Sequence, residues 1–231
     1  KAWVKRILVD QGICPFTKST KMSGHGLADL GVPVASIAYH SSWAGPTQIS
    51  SLMADTFEAI SDMIKAGPEG KNGVSSILLA APEFDDDFPL WSGPVFAMLE
   101  ASVVAARAEA EIGVVCFHPD YQTPDGRSWP GFGYMHSVPR LKKWMMQLVA
   151  DNEATGKCPL SDCEIAAGGA WQRRTPHATI NVLRADQLAA AEGRRASEIL
   201  YQENIQKLVG ENGIGIEQLQ RDLDRERQLD R

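Results

Sequence analysis

Residues 73–117 read GVSSILLAAPEFDDDFPLWSGPVFAMLEASVVAARAEAEIGVVCF, and this stretch decides the fold. Ser76 to Ala81 is a compact apolar run bounded by Gly73 and Pro82, the pattern of a strand buried on both faces. An acidic turn, Glu83 to Asp87, follows it. Pro94 to Ala110 then spaces Ala, Met, Leu and Val at helical intervals, and Glu111 to Phe117 is a second buried strand centred on Val114 and Val115. Working back towards the start, Ile49 to Lys65 repeats apolar residues at three and four positions (Leu52, Met53, Phe57, Ile60, Ile64), and Gly67 and Pro68 end that helix. Val34 to His40 predicts another strand, Ser23 to Gly31 a glycine-rich loop, and Ala2 to Gln11 a first helix with Trp3, Ile7 and Leu8 on one face.

On the other side of the deciding stretch, residues 119–137 are rich in Pro, Gly and aromatics and read as irregular. Val138 to Ala150 predicts a helix, Asp151 to Gly169 a loop, and Thr179 to Leu183 the last strand. Arg195 to Val209 and Ile214 to Leu229 predict two closing helices, the second with only a narrow stripe of Ile216, Leu219 and Leu223. Alternation of this kind implies an α/β fold: a mixed or partly parallel central sheet of about four strands, helices packed on it, and a helical C-terminal tail. Residues 1–210 are expected to form a single domain and 211–231 a charged C-terminal helix. Ligand sites in such sheets gather at strand ends, so the segments after His40, Ala81, Phe117 and Leu183 are the places to search.

Composition narrows the function. The chain has 231 residues, 44% of them hydrophobic, and carries 23 Lys+Arg against 29 Asp+Glu, a net charge of -6. An acidic balance argues against nucleic acid as the main partner, because phosphate binding needs a basic surface. No apolar run approaches the roughly 18 to 20 residues that cross a bilayer, so the chain is expected to be soluble and not membrane-spanning. The first residue is Lys1, and a removed targeting peptide stays open. Four scattered cysteines make no disulfide framework and suggest a reducing compartment, the cytoplasm or an organelle interior such as the plastid stroma. Cys158 and Cys163 fit either half of a zinc site or a labile loop disulfide, but no second pair has zinc-ligand spacing, so no metal is expected.

Three segments carry candidate chemistry. Gly12-Ile13-Cys14-Pro15-Phe16 is similar to the Cys-Pro-aromatic opening of glutaredoxin active sites, but Cys14 follows a helix whose C-terminal end disfavours a thiolate. Cys14 is therefore either a redox thiol capping a new turn at Pro15 or a structural thiol. In Cys116-Phe117-His118-Pro119-Asp120-Tyr121, Pro119 ends the strand and leaves His118 at its edge. His118 reads as a general base with Tyr121 as a positioning donor, or as a brace bonded to a backbone carbonyl. Gln172-Arg173-Arg174-Thr175-Pro176-His177 leads into a strand ending at Arg184. Those three arginines either grip a small carboxylate or phosphate, or pair with an acidic turn such as Asp85-Asp86-Asp87.

Taken in order, four motifs resemble family 1415 of the domains of unknown function. They are Trp3 with Cys14-Pro15-Phe16, then Phe117-His118-Pro119 with Tyr121, then Arg173-Arg174-Thr175-Pro176, and finally Tyr201 with Asn204-Ile205. The resemblance spans residues 1 to about 210. It implies a His within the last strand and an Arg-Glu at its end, where this chain has Asn181 and Arg184-Ala185. Asn is no general base at neutral pH and Ala no acid, so chemistry that uses such a His and Glu is lost here. Residues 125–171 read as an insertion relative to the family, with Trp129, Phe132, Tyr134, Trp144 and Trp171 suited to a lid or an interface.

Two functions follow as expectations. One is an enzyme-like domain that binds a small anionic molecule, with His118 and Tyr121 at its centre and Arg173, Arg174 and Arg184 holding the anion. The other is a non-catalytic subunit of a protein assembly that uses the aromatic segment and the C-terminal helix. The cofactor, if there is one, is unknown from sequence.

Overall fold

The strands Met22–Ser23 (β1), Ala35–Ser41 (β2), Val74–Ala80 (β3), Ile112–Phe117 (β4) and Thr179–Arg184 (β5) form one mixed sheet in the order β1-β2-β3-β5-β4. These come from a computed structural model that describes residues 1–14, 16–25, 29, 31–69, 72–127, 136–151, 160–192 and 196–229. β2 and β3 are parallel, with Ile37 opposite Ser76 and Ser41 opposite Ala80. β5 is inserted antiparallel to both neighbours, so that Thr179 faces Ala80 on one side and Phe117 on the other. The sheet is therefore mixed, as the alternating pattern predicts, with one more strand than expected. The extra strand is the two-residue β1, which falls partly in the segment read as loop.

Side chains alternate across the sheet and meet a different layer on each face. Ile77, Leu79, Val114, Cys116, Ile180 and Val182 pack with Leu52, Ile60 and Met63 of helix Ile49–Ala66 (α2) and with Trp91, Phe96 and Leu99 of helix Phe88–Ala105 (α3). The opposite face presents Leu78, Val115, Phe117 and Leu183 to Trp3, Val4 and Ile7 of the first helix (α1, Val4–Asp10) and to Leu219 and Leu223 of the last. Helices Val138–Asp151 (α4), Asp162–Trp171 (α5), Ala185–Glu192 (α6), Ala196–Val209 (α7) and Ile216–Leu229 (α8) complete the chain.

Four sequence expectations are corrected. Much of the segment read as loop from Asp151 to Gly169 is helix α5, started by a capping box in which Ser161 accepts from the Glu164 N–H while the Glu164 carboxylate accepts from the Ser161 N–H. Gly168 disguises this helix. A Cβ there would lie 2.6 Å from Cγ2 of Ile205, so the glycine serves close packing against α7 and not a turn.

Second, α3 begins at Phe88 and runs for 18 residues with mean hydropathy 1.3, enough by length and composition to cross a membrane. One face of it belongs to the core, where Trp91, Val95, Phe96 and Leu99 are each 0% exposed. Third, the narrow stripe of α8 is buried within the chain itself: Leu219 and Leu223 lie against the α1 layer, and Arg6 donates to both carboxylate oxygens of Glu226 at 2.9 and 2.7 Å. A surface supplied by the far end of the chain is what a local stripe cannot reveal.

Finally, Leu183 and Arg184 lie at the opposite edge of the sheet from His40, Ala81 and Phe117, because β5 runs the other way. Five residue steps separate Thr179 from Arg184, about 17 Å of strand.

Candidate functional site

The C-terminal ends of β2, β3 and β4 and the N-terminal end of β5 share one edge. The segment entering β5 runs along that edge: the His118 N–H donates to the Arg173 carbonyl at 3.1 Å, and the Ala81 N–H to the Ala178 carbonyl at 2.8 Å. This draws residues 173–178 against Pro82–Phe84, a tight turn that places Asp85 beneath them. Asp85 is 4% exposed and His177 8%. One Asp85 oxygen accepts the Ala178 N–H at 2.7 Å, and the other meets His177 Nδ1 at 2.8 Å. An ionised carboxylate only accepts, so Nδ1 carries the proton of the neutral ring and Nε2 carries its lone pair. His177 Nε2 is buried and has no hydrogen-bond partner among the described residues.

Arg227 of α8 reaches the same carboxylate, with Nη2 3.6 Å from Asp85 and 3.9 Å from Asp86. A buried histidine and half-buried arginines thus pair with carboxylates from distant parts of the sequence. The acidic turn does hold an ion pair, but its arginine comes from α8.

Beside His177 opens a cleft of about 310 Å³, lined by Trp3, Tyr39, His40, Ser41, Trp43, Thr175 and Thr179 among others. Thr175 and Thr179 both donate their hydroxyls to the His177 carbonyl, at 2.7 and 2.8 Å, which fixes the backbone that carries the imidazole. Lys1 and Glu226 also line the cleft; the Lys1 ammonium stands 5.0 Å from the Tyr39 ring centre, and Glu226 is held by Arg6.

The predicted residues His118, Tyr121, Arg173 and Arg174 do come together, at the end of β4. His118 is 0% exposed, and both ring nitrogens are engaged: Nδ1 accepts the Asp120 N–H at 3.0 Å, and Nε2 lies 3.0 Å from the Phe84 carbonyl, to which it donates in the matching tautomer. Burial pushes the His118 pKa below its usual value, partly opposed by the Phe84 carbonyl. The Tyr121 N–H donates to the His118 carbonyl at 3.1 Å, and Arg174 Nε donates to the Tyr121 carbonyl at 3.2 Å. Arg174 lies 4.7 Å from the Trp171 ring centre and Arg173 5.1 Å from that of Phe117. Burial lowers the pKa of Arg174, and one buried Nη1 of Arg173 has no hydrogen-bond partner among the described residues.

Arg184 is not part of this group. Its Nε donates to the Val74 carbonyl at 2.8 Å and its Nη2 to the Met63 carbonyl at 2.7 Å, tying the end of α2 to the start of β3. Cys14 is half-buried after α1 and unbridged, with the Thr17 hydroxyl donating to its sulfur at 3.4 Å. Pro15, Cys158, Trp129, Phe132 and Tyr134 lie outside the described residues. Cys163 is exposed on α5, Trp171 is buried beside Phe117, and Trp144 packs against Tyr201 with ring centres 5.9 Å apart.

The fold that carries this edge has a counterpart in sequence. The family described as "Protein of unknown function (DUF1415)" matches residues 1–129. The chain belongs to this family. The match takes in the first two motifs of the resemblance, with Cys14 and His118, together with Asp85. The Arg173-Arg174-Thr175-Pro176 and Tyr201-Asn204-Ile205 motifs lie beyond it, as does His177. No curated protein and no solved structure gives a significant match.

Asp85 and His177 were not singled out by sequence reasoning. Asp85 is one of three adjacent aspartates, and His177 follows an arginine pair that draws attention first. A signal was present in the Pro-His at 176–177 just before a strand, the mirror of the His-Pro that follows a strand at 118–119. What separates the two histidines is the partner of each ring, and that is supplied across 92 residues of sequence.

Proposed function

We propose that this chain binds a small anionic molecule in the cleft at the β2–β3–β5 edge and exchanges a proton with it through His177. The observation that carries this reading is the imidazole itself, with Nδ1 on a buried carboxylate, a buried Nε2 that has no hydrogen-bond partner among the described residues, and the residue lining the cleft. Asp85 holds the ring in one tautomer and stabilises the imidazolium formed when Nε2 takes a proton. Lys1 and His40 supply positive or protonatable groups on the cleft wall, while Glu226 is neutralised by Arg6. His118, Tyr121, Arg173 and Arg174 act as the frame that sets residues 173–178, because their hydrogen bonds run largely to one another's backbone.

The test is a thermal-shift and NMR titration with acetate, benzoate and inorganic phosphate, on wild type and His177→Gln. Stabilisation by at least one of these anions that is lost in His177→Gln carries the proposal. Stabilisation unchanged by the substitution sinks the role of His177.

A second reading, a subunit of a protein assembly, draws on α3, where Met98 is 46% and Val104 57% exposed, and on Leu229 of α8 at 71%. A protein that is monomeric on its own and carries no partner when isolated from its source would argue against it.

A further inference from the structure

Of the tryptophans Trp3, Trp43, Trp91 and Trp171, three are 5% exposed or less, whereas Trp43 is 69% exposed. An indole left in water forgoes more burial stabilisation than almost any other side chain, so its surroundings need a reason. Trp43 is held on a fixed backbone. Ser42 before it is 1% exposed, its N–H donates to the Ala80 carbonyl at 2.8 Å, and its hydroxyl donates to Asp55 of α2. Ala44 after it is 8% exposed, and its N–H donates back to the Ser42 hydroxyl at 3.3 Å. The next turn is closed by Gln48, whose N–H donates to the Gly45 carbonyl at 2.8 Å. The indole therefore projects from two buried anchors, and little backbone order is lost when something packs on it.

Trp43 also lines the same cleft as Trp3, Tyr39, Pro176 and His177. At about 310 Å³ the cleft is at the small end of ligand pockets, which span about 300 to 1,000 Å³. A volume of this size suits one or two fused rings better than a protein loop. We infer that Trp43 is a stacking platform for a planar aromatic ring, and that the ligand is an aromatic acid whose polar end reaches His177. This inference rests on the cleft being a ligand site, and it names the class of ligand. Stacking on an indole face discriminates flat unsaturated rings from puckered saturated ones of the same charge and similar size.

The experiment compares 2-naphthoate with decahydronaphthalene-2-carboxylate, its saturated counterpart, following indole N–H resonances during titration of the full chain. Trp43→Phe assigns the Trp43 resonance by its disappearance. The expected result is a saturating shift of that resonance with 2-naphthoate, and binding about tenfold tighter than for the saturated acid. Trp43→Ala should erase the preference and Trp43→Phe should keep most of it; the exposed site leaves the fold intact in both. Equal affinities, no binding of either acid, or a preference that survives Trp43→Ala overturns the platform. A preference that persists in His177→Gln with unchanged affinity removes the proton-transfer reading and leaves the platform standing.

Discussion

Replacing Asp85 by Asn tests the centre of the site without changing its shape. The amide oxygen can still accept the Ala178 N–H, but the group facing His177 becomes a donor where the carboxylate was an acceptor. The imidazole must answer by moving its proton from Nδ1 to Nε2. The charge-assisted bond, worth about 1.5–3 kcal/mol, becomes a neutral one of about 1 kcal/mol, and Arg227 at 3.6 Å loses its buried counter-charge. A net loss of about 1–2 kcal/mol follows, or roughly 2–8 °C in Tm for a chain of this size. Asp85→Ala removes the acceptor from two buried N–H groups and should cost about 3–5 kcal/mol. Urea denaturation measures the stabilities, and imidazole 15N shifts measure the tautomer. The reasoning fails if wild-type His177 carries its proton on Nε2, or if Asp85→Asn leaves the tautomer where it was.

Arg184→Ala should destabilise the fold by about 3 kcal/mol, because two carbonyls lose a charged donor at a 6% exposed site, while leaving anion titrations of the cleft unchanged; urea midpoints and the titrations check both halves. Leu223→Ala should cost about 2–5 kcal/mol and loosen α8 from α1, seen as faster amide exchange in both helices. Burial raises the Glu100 carboxyl to about 7, above its ordinary 4.5, so the folded state holds a proton that the unfolded chain releases. Stability is then greatest below pH 4.5 as far as this group is concerned and falls as pH rises through 7. Glu100→Gln should add about 1 kcal/mol above pH 7, after discounting for its half-exposure, and almost nothing near pH 4; a variant with no such pH difference refutes this.

Much of the architecture is visible in the sequence because it is local. The deciding stretch names β3, α3 and β4 through apolar runs and helical spacing, and these need no distant partner to be recognised. Helix α5 escapes because its glycines, locally a turn signal, are selected by residues more than thirty positions away, Gly168 by Ile205 and Gly169 by Thr123. Helix α8 looks too narrow to bury because the surface it needs is made by Trp3 and Val4. The candidate residues divide in the same way. His118, Tyr121, Arg173 and Arg174 are adjacent because strand ends bring them together, but Arg184, one strand length later, points its fork to the far edge. Reversal of β5 alone decides that.

By itself the sequence determined the alternation of strands and helices, the apolar faces that make a sheet with layers, and the presence of histidine and arginine at strand ends. Backbone propensity and side-chain periodicity act within a few residues, so one chain suffices to read them. Only the tertiary structure decided that β5 lies antiparallel between β3 and β4, that Asp85 accepts a hydrogen bond from Nδ1 of His177, and that Trp43 stands exposed beside the cleft. The first two are pairings between groups far apart in the chain, and the third depends on anchors that Ser42 makes to Ala80 and to Asp55, so none is set by side-chain periodicity alone.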